Sequence, residues 1–588
     1  MAYGYPLPEE APQQQGASKN YRNVPADNPY LSGGTLTFLS KVVSAIGPLQ
    51  TLLWRNAQFG TLRHLKVLEA YPPRFNPTVI PTEEGHSGPL VTQGLFDKKL
   101  DTSFYTSADY VHAYKSQKTT PTAVAEYLLG TIQEPLHRLA FIQIREDLTL
   151  EAAKRSTERY IKGTPLGPLD GVPITVKDEV DVHGYEKTFG TAKKFDRGEG
   201  ETTWCVKKLE EAGAIIIGKT NMHELGTDTT NNNPVHGTPK NPFNTFFYTG
   251  GSSGGSAYTV GAGLVPISVG ADGGGSIRVP SSYCGVYGIK PSHGRLSGRP
   301  SPSLTPSNGV LGPIAGSLQD LALAYRIMSA PDPRNPDTTL FPTPAPLLKP
   351  IHSTAKKVIG IYRPWFDDCD SVVGTLCNEA VDRLASQGGY EIIEIPFIPY
   401  LNETRLAHAL SIVTDMTTAL DGDYSQYNAA NKILLSVASR TPAIDYAAAS
   451  KVRTMMMSHF AYLFQKHPGM ILVTPTTPLP GVKIDPRDIS AGVSDTNTSL
   501  KSMRYVFLAN FIGTPAINVG VGYAEETRVP IGLMGMAEWG REEDLLGWGK
   551  DVVSELELAE GKKRKRGEIW VDVLRGVGIG EYILDTQV

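Results

Sequence analysis

Two stretches of the sequence contain residues that could carry out nucleophilic chemistry. They are GGSSGGS at residues 250–256 and GGGSIR at residues 273–278. Both place serine hydroxyls among glycines, whose missing Cβ lets backbone amides approach a bound group. Lys177 ends the apolar run of a third segment, GVPITVKD. A lysine withdrawn from water can act as a base, because burial disfavours its charged form. Together these groups could activate a serine for attack on a carbonyl carbon.

The segment GAIIIGKT at residues 213–220 matches the P-loop pattern letter for letter. A phosphate-binding loop needs its four middle residues in a tight turn, whereas Ala-Ile-Ile-Ile favours a β-strand. A genuine P-loop follows its strand, but here the segment would itself be the strand. The sequence therefore predicts a buried strand and argues against nucleotide binding.

The segment GSSGG at residues 251–255 matches the nucleophile-elbow pattern G-x-S-x-G, with Ser253 as the nucleophile. Five histidines that could complete such a site follow it: His293, His352, His408, His459 and His467. No local signal selects one of them. The preceding NPFNTFFYTG reads as a loop, whereas the pattern requires a strand. This alternative is therefore disfavoured.

Helix and strand patterns alternate along the middle of the chain. WCVKKLEEAG (204–213) is predicted as a helix and AIIIGKT (214–220) as a strand. GMILVTPTTP (469–478) and GTPAINVGVG (513–522) are predicted as two further buried strands. Such alternation favours an α/β layered sheet.

The N-terminal part is predicted to lie outside this sheet. Residues 1–34 are rich in Pro, Gln and Gly and read as a flexible arm. Between residues 35 and 53, leucines and β-branched residues recur at helical spacing. This stripe could pack on the domain, cap a substrate channel or dock on a membrane. Packing is favoured, because amphipathic helices usually bury their apolar face.

Composition excludes several classes of function. With 56 Lys+Arg against 60 Asp+Glu, nothing points to a nucleic-acid partner. The four cysteines form no CxxC pair, which argues against zinc. We find neither a targeting pattern nor an apolar run of the roughly 18 residues that span a bilayer, so we expect a cytoplasmic protein without a spanning segment. The basic run at 562–566 could be a nuclear signal, although a solvated surface is the commoner explanation.

The longer series of motifs resembles the amidase signature family of serine hydrolases. The resemblance extends from about Thr120 to about Leu556 and is centred on residues 250–297. It includes, in the family's order, GVPITVKD, GAIIIGKTNMHELG, TPTTPLPG, GTPAINVGVG and VPIGLMGM. The resemblance implies an α/β fold, in which a twisted mixed β-sheet is covered by helices on both faces.

The implied domain organisation is a single amidase signature domain over residues 35–588, preceded by the arm at 1–34. Within it we distinguish a helical extension (35–119), a catalytic core (120–330), and a variable pocket region with C-terminal strands (331–588).

The resemblance also implies a role for each residue of the site. Lys177 matches the family's catalytic lysine, Ser252 its bridging serine with a cis peptide bond before it, and Ser276 its nucleophile. In this relay Lys177 accepts a proton from Ser252, which accepts one from Ser276 during the attack. The family needs no metal or cofactor for this chemistry.

The backbone amides of Gly273, Gly274, Gly275 and Ser276 match the family's oxyanion hole. Gly273 departs from the family, which usually has Ile or Thr there. We expect this third glycine to loosen the loop and to widen the space beside the oxyanion hole.

Four further residues are expected to support the loop or the core. Asp272 and Arg278 match a charged pair that flanks the nucleophile, and we expect them to brace the loop. Ser253 is expected to do so through hydrogen bonds. Cys284 could in principle act as a thiol nucleophile, but free cysteines are usually buried, so core packing is the expectation.

We predict an amidase that converts carboxamides to a carboxylic acid plus ammonia or an amine through an acyl-enzyme on Ser276. A fatty acid amide or carbamate hydrolase of the same family remains an alternative, as does the glutaminase-type subunit of an amidotransferase. A silent scaffold on this fold is disfavoured, because Lys177, Ser252 and Ser276 are all present. A small amide is the expected partner, and a homodimer is the expectation for assembly.

The substrate pocket is expected to come from the variable region at about 395–465. Asp415, Met416 and the methionines at 455–457 are the candidates to line it. Methionines on a helix also pack in cores, so the pattern does not rank them.

Overall fold

The computed structural model describes residues 4–14, 21–24, 27–81, 104–195, 200–345, 356–557 and 564–579. Parts of the predicted arm and extension, chiefly residues 82–103, and Lys562 and Lys563 of the basic run lie outside them.

The strands are named in chain order. They are β1 (Leu31–Ser32), β2 (Phe141–Gln143), β3 (Pro173–Lys177), β4 (Ile215–Thr220), β5 (Ile267–Asp272), β6 (Tyr287–Lys290), β7 (Val310–Ala315), β8 (Val358–Ile361), β9 (Glu391–Glu394), β10 (Met470–Pro475), β11 (Val493–Ser494), β12 (Ala516–Tyr523) and β13 (Pro530–Met536).

The α-helices are named in the same way. The first group is α1 (Gly33–Ala45), α2 (Gly47–Asn56), α3 (Ser107–Lys115), α4 (Pro121–Ile132), α5 (Pro135–Arg138), α6 (Glu146–Lys162), α7 (Trp204–Glu211), α8 (Gly254–Gly261), α9 (Arg278–Tyr283), α10 (Leu318–Met328) and α11 (Pro336–Leu340). The second group is α12 (Arg363–Phe366), α13 (Ser371–Ser386), α14 (Leu401–Ala419), α15 (Ala429–Ala438), α16 (Ala443–Lys466), α17 (Asp488–Ala491), α18 (Thr496–Ser502), α19 (Phe507–Ile512), α20 (Glu542–Glu557) and α21 (Val573–Gly576). Short 3₁₀ helices cover Phe59–His64, Lys66–Ala70 and Glu224–Gly226.

Eleven of the strands described form one mixed sheet in the order β2-β4-β3-β5-β7-β6-β12-β13-β10-β8-β9. β3 is parallel to both β4 and β5, whereas β5 is antiparallel to β7. Because parallel neighbours run in the same direction, β3 and β5 end at the same edge of the sheet. Lys177, the last residue of β3, therefore lies beside the loop that follows β5.

Apolar cores cover both faces of the sheet. Along β10, Ile471 and Val473 belong to one buried cluster, and Met470 and Leu472 belong to the other. This alternation is the period of a strand whose two faces are both buried. α20 contributes to the first cluster and α16 to the second. The predicted α/β fold with helices on both faces is thus confirmed.

The P-loop look-alike is strand β4, as its composition predicts. Its six residues are all buried. The Lys219 side chain donates to the backbone oxygens of Asp178 (3.0 Å) and Glu186 (3.4 Å), inside the protein. The Lys219 amine is therefore bound to backbone oxygens inside the protein and is not available to a phosphate group.

The predicted N-terminal helical stripe forms α1 and α2. Leu36, Val43 and Trp54 are buried, and α1 packs against α15. Phe38 and Leu52 stay 65% and 53% exposed. Packing therefore accounts for part of the stripe and leaves part of it in solvent.

No single helix within the described ranges is long and apolar enough to cross a membrane. The pair α1 and α2, which is bent by 108°, reaches the required length and composition only when both helices are taken together.

The chain before α1 contacts the domain where the structure describes it. Ala11 is buried, and its amide donates to His459 Nδ1. The Tyr21 hydroxyl donates to Asp368 at 2.9 Å. At the other terminus, the guanidinium of Arg564 lies 3.7 Å from the ring centre of Phe104. This part of the basic run thus packs on the domain.

Candidate active site

Lys177 is almost completely withdrawn from water, with 1% of its surface exposed. Its Nζ donates to Ser252 Oγ at 2.9 Å and to the backbone oxygen of Ala271 at 3.3 Å. It also lies 3.0 Å from Glu179 Oε2. Lys177 is the last residue of the buried strand β3, as predicted, and this position brings its amine to the glycine-rich segments.

Ser252 lies in the tight connection that leads into α8. The peptide bond between Gly251 and Ser252 is cis, as the resemblance implies. The backbone oxygen of Ser252 accepts from the amide of His223 at 3.2 Å. The connection thus presents the Ser252 hydroxyl to Lys177.

Ser276 lies in the turn between β5 and α9 and is partly exposed. Its backbone oxygen accepts from the amide of Ser253 at 3.1 Å, which joins the two serine-containing segments. Its hydroxyl has no hydrogen-bond partner among the residues that the structure describes. The structure therefore brings Ser276 to the same cavity as Ser252 and Lys177, but it records no direct bond between the two hydroxyls.

The carboxylate of Asp272 organises the turn that carries Ser276. It accepts from the amides of Gly275 (2.7 Å) and Ile277 (3.0 Å) and from the Arg278 guanidinium at 3.0 Å. Burial alone would raise the pKa of this carboxyl, but the Arg278 guanidinium and the amides hold its pKa well below the usual range. Asn510 closes the arrangement by donating to the backbone oxygen of Asp272 and accepting from Arg278.

The four amides predicted for the oxyanion hole are not equivalent. The Gly275 amide is occupied by Asp272, whereas the amides of Gly273, Gly274 and Ser276 have no acceptor in the described part of the chain. Gly275 has a φ of +115°, and a Cβ there would collide with Val506. Glycine at 275 is therefore required by the turn itself, and the other three amides are left without an acceptor in the described residues.

Gly273 does not widen the cavity. A Cβ at this position would lie 3.1 Å from Thr305 Oγ1 and 3.2 Å from Ile412 Cδ1. The neighbouring side chains thus already fill the space that a larger residue would need.

The elbow alternative, with Ser253 as nucleophile, is contradicted. Ser253 is fully buried, and its hydroxyl donates to the backbone oxygen of Ala271 at 3.1 Å. The nearby histidines have other partners: His408 Nε2 contacts the backbone oxygen of Gly273, and His293 contacts Thr78 and Pro306. Ser253 therefore braces the loop.

Cys284 also belongs to the core. It is fully buried, and burial raises the pKa of its thiol well above the usual value. Its Sγ donates to the backbone oxygen of Thr249. A thiol in these surroundings stays protonated and cannot act as a nucleophile.

A cavity of about 700 Å³ opens beside Lys177, Ser252 and Ser276. The apolar side chains that line it include Leu225, Leu296, Leu304, Leu311, Ile412 and Met416, and Arg299, Arg334 and Asn335 line it as well. No cluster of His, Cys, Asp and Glu in the described ranges has the make-up of a metal site. The same cavity thus contains Ser276 and a set of apolar side chains.

The origin of the pocket wall differs from the prediction. Of the residues proposed from the variable region, Met416 lines the cavity. Asp415 instead accepts hydrogen bonds from Ser307 and Tyr446, and the methionines at 455–457, which belong to α16, are buried in the core. Much of the wall comes from residues 293–311, where burial depends on contacts such as Thr78 with His293. Sequence patterns do not record such distant contacts.

Glu179 is the site residue that the sequence analysis missed. It lies two positions after Lys177 and lines the cavity. β3 ends at Lys177, and the following turn is closed by the amide of Val180, which donates to the backbone oxygen of Lys177 at 3.1 Å, so the alternation of a strand could not have signalled Glu179.

Comparison with known proteins identifies the family of the chain. The sequence model of the family described as Amidase matches residues 123–546. A fatty acid amide hydrolase of Medicago truncatula is 34% identical, over 93% of this chain and 95% of its own length. One subunit of the glutamyl-tRNA(Gln) amidotransferase of Deinococcus radiodurans is 29% identical over 76% of this chain and 96% of its own. The crystal structure of a bacterial aryl acylamidase of the amidase signature enzymes shares the fold, with a TM-score of 0.66, 23% identity, and coverage of 77% of this chain and 99% of its own.

Proposed function

Because the chain belongs to the amidase signature family and hydrolyses the carbon–nitrogen bond of amides, we propose that its substrates are amides of long-chain carboxylic acids, cleaved through an acyl-enzyme on Ser276. The observation that carries the substrate class is the apolar wall of the cavity beside Ser276. A long acyl chain would bury its methylenes there, each contributing about 0.8 kcal/mol.

The likeness to known enzymes supports the same substrate class. The relative named fatty acid amide hydrolase matches 93% of this chain, whereas the amidotransferase subunit matches 76%. The family model begins at residue 123, so it does not extend to the N-terminal helices. The longer match therefore favours an acyl-amide substrate over free glutamine.

The proposed reaction begins with a proton relay. Ser276 Oγ attacks the carbonyl carbon while its proton passes to Ser252, whose own proton passes to the neutral amine of Lys177. The 2.9 Å contact between Lys177 and Ser252 supports the second transfer. The first transfer needs a contact between Ser252 and Ser276 that forms with substrate bound, since such contacts are often long in free enzymes.

The free backbone amides receive the charge that develops on the carbonyl oxygen. We assign this role to the amides of Gly273, Gly274 and Ser276, which have no other acceptor in the described residues. Lys177 then returns its proton through Ser252 to the leaving nitrogen, which departs as an amine. A water molecule repeats the cycle on the acyl-enzyme and releases the carboxylic acid.

A series of N-acyl amines from acetyl to palmitoyl, with glutamine and an aryl amide added, tests the substrate class. We expect kcat/KM to rise by roughly fourfold per methylene until the cavity is full. A preference for the acetyl compound or for glutamine would contradict the proposal.

A further inference from the structure

His408, on α14, contacts the backbone of the loop that follows β5. Its Nε2 lies 2.8 Å from the backbone oxygen of Gly273. We propose that His408 is a positioning residue, which holds the peptide unit between Gly273 and Gly274 so that the amide of Gly274 points into the cavity as a donor to the oxyanion. This inference rests on the proposed function, because it concerns the oxyanion hole of that reaction.

The His408 ring is the donor in this hydrogen bond. Its partner is a carbonyl oxygen, which can only accept, so the ring carries a proton on Nε2. Burial lowers the pKa of His408 to about 4, and the imidazole is therefore neutral at pH 7. With its one proton on Nε2, the neutral ring binds the oxygen of Gly273 and has a lone pair on Nδ1.

The geometry of a peptide unit carries the effect of this bond to the amide of Gly274. Among the described residues, cis peptide bonds occur before Ser252 and Pro300, so the unit between Gly273 and Gly274 is trans. A trans unit is planar, and its carbonyl and its N–H point in opposite directions. When His408 holds the oxygen of Gly273, the N–H of Gly274 points away from the histidine. Gly274 lines the cavity and His408 is buried behind it, so this direction leads into the cavity.

The peptide units of the other two amides without an acceptor are held in the same way. Asn510 Nδ2 donates to the backbone oxygen of Asp272 at 2.8 Å, in the unit that contains the Gly273 amide. The backbone oxygen of Gly275 accepts from an amide of α9 at 2.8 Å, in the unit that contains the Ser276 amide. Donors fixed in this manner need no reorganisation when charge develops on the substrate oxygen.

The surroundings of the His408 ring keep Nε2 at the loop. The ring packs against Phe507 and Phe511 of α19, with ring centres 5.9 and 6.3 Å away. A Cβ at Gly274 would lie 3.0 Å from its Cε1, so the ring touches the loop itself. Its Nδ1 is buried without a partner among the described residues. Because a buried nitrogen without a partner costs stability, packing alone would favour a ring without nitrogens.

A trifluoromethyl ketone that carries the acyl group of the best amide substrate tests this role. Ser276 Oγ forms a bond to its carbonyl carbon, the carbonyl oxygen takes the electron pair of the broken double bond as an alkoxide, and the serine proton passes to the relay. The matching secondary alcohol has nearly the same shape and forms no such adduct. The ratio of the two inhibition constants therefore measures how well the oxyanion is held.

The variant His408→Phe keeps an aromatic ring and removes the donor. We expect the preference for the ketone over the alcohol, and kcat, each to fall by about tenfold or more, since removal of a whole oxyanion donor lowers kcat by about 10²–10³. KM and the inhibition constant of the alcohol should change by less than about twofold, because neither involves the oxyanion.

His408→Gln brings an N–H donor close to the position of Nε2. It should recover most of the preference for the ketone that His408→Phe loses. A merely structural role would weaken the binding of ketone and alcohol alike, and glutamine would then recover nothing. Equal losses in His408→Phe and His408→Gln would therefore contradict the inference.

His459→Phe is the matched control. His459 is also buried, and its Nδ1 accepts from the backbone amide of Ala11. Its Nε2 has no partner in the described part of the chain, so it resembles His408 in burial and in its one bond to the backbone. Its replacement should leave kcat and the preference for the ketone at the wild-type values.

The wild type separates failure of this inference from failure of the proposed function. If the wild type binds the ketone far more tightly than the alcohol and His408→Phe keeps that preference, this inference is wrong while the proposed function stands. His408→Leu also lacks the donor and decides the same point if His408→Phe does not fold. If the wild type hydrolyses no amide and binds ketone and alcohol alike, the acyl-enzyme reaction is wrong, and both proposals fail.

Discussion

Lys177 Nζ lies 2.9 Å from Ser252 Oγ, although 75 positions of the chain separate the two residues. The contact arises because β3 ends at the sheet edge where the connection into α8 turns back. A contact between residues so far apart in sequence cannot form within a single helix or hairpin and depends on the tertiary fold. The fold thus assembles the proposed base and the bridging hydroxyl from two distant segments.

Ser252→Ala should lower kcat by a factor of about 10² to 10⁴, the usual contribution of a group that transfers a proton in the transition state. The matched control is Ser253→Ala. In the wild type, the Ser253 hydroxyl donates to the backbone oxygen of Ala271. Its effect on kcat should be much smaller than that of Ser252→Ala. Steady-state kinetics on one amide substrate, with far-ultraviolet circular dichroism as a check of folding, decides between them. Full activity of Ser252→Ala would show that the relay does not pass through this residue.

Asp272→Asn should destabilise the protein at neutral pH by about 3–5 kcal/mol, because it leaves the Arg278 guanidinium buried without a charged partner. The pKa of Asp272 is lowered in the fold, so its contribution is present above the unfolded pKa of about 3.9 and is lost as the pH falls toward the folded value. Urea unfolding should therefore show the largest difference from the wild type near pH 7 and a smaller one near pH 4.

Glu151→Gln is the control for this measurement, because the pair of Glu151 with Arg155 lies on the surface. Loss of this surface ion pair should leave the urea midpoint of unfolding equal to that of the wild type within experimental error. A stability difference between Asp272→Asn and the wild type that grows as the pH falls would contradict the assigned ion pair.

Ile412→Trp should shorten the acyl chain that the enzyme prefers. Ile412 lines the cavity from α14, and its Cδ1 would lie 3.2 Å from a Cβ at Gly273. The larger ring would therefore occupy space beside Ser276. We expect kcat/KM for a palmitoyl amide to fall at least tenfold relative to that for an acetyl amide.

Thr418→Trp on the exposed side of the same helix controls for a general effect of tryptophan on α14. It should leave the chain-length preference unchanged. An equal loss for both acyl chains in Ile412→Trp would mean that the cavity does not hold the acyl group.

The sequence was most informative where local chemistry decides structure. The isoleucines before Gly218 predict β4 and exclude a phosphate loop. The motif series singles out Lys177, Ser252 and Ser276, which the fold brings to one cavity. The sequence could not predict that the Gly275 amide is bound by Asp272 while the neighbouring amides are not, because this depends on the direction in which the Asp272 carboxylate points. The cavity wall was misplaced for a similar reason, since residues 293–311 are held by partners far away in the chain.

The most direct test of the account is the site at which a long-chain fluorophosphonate becomes attached, read by mass spectrometry of peptides, together with amine release by Ser276→Ala. We predict that Ser276 carries the adduct in the wild type, and that Ser276→Ala carries none and releases no amine from a palmitoyl amide. An adduct on Ser253, or undiminished amine release by Ser276→Ala, would contradict the assignment of Ser276 as the nucleophile.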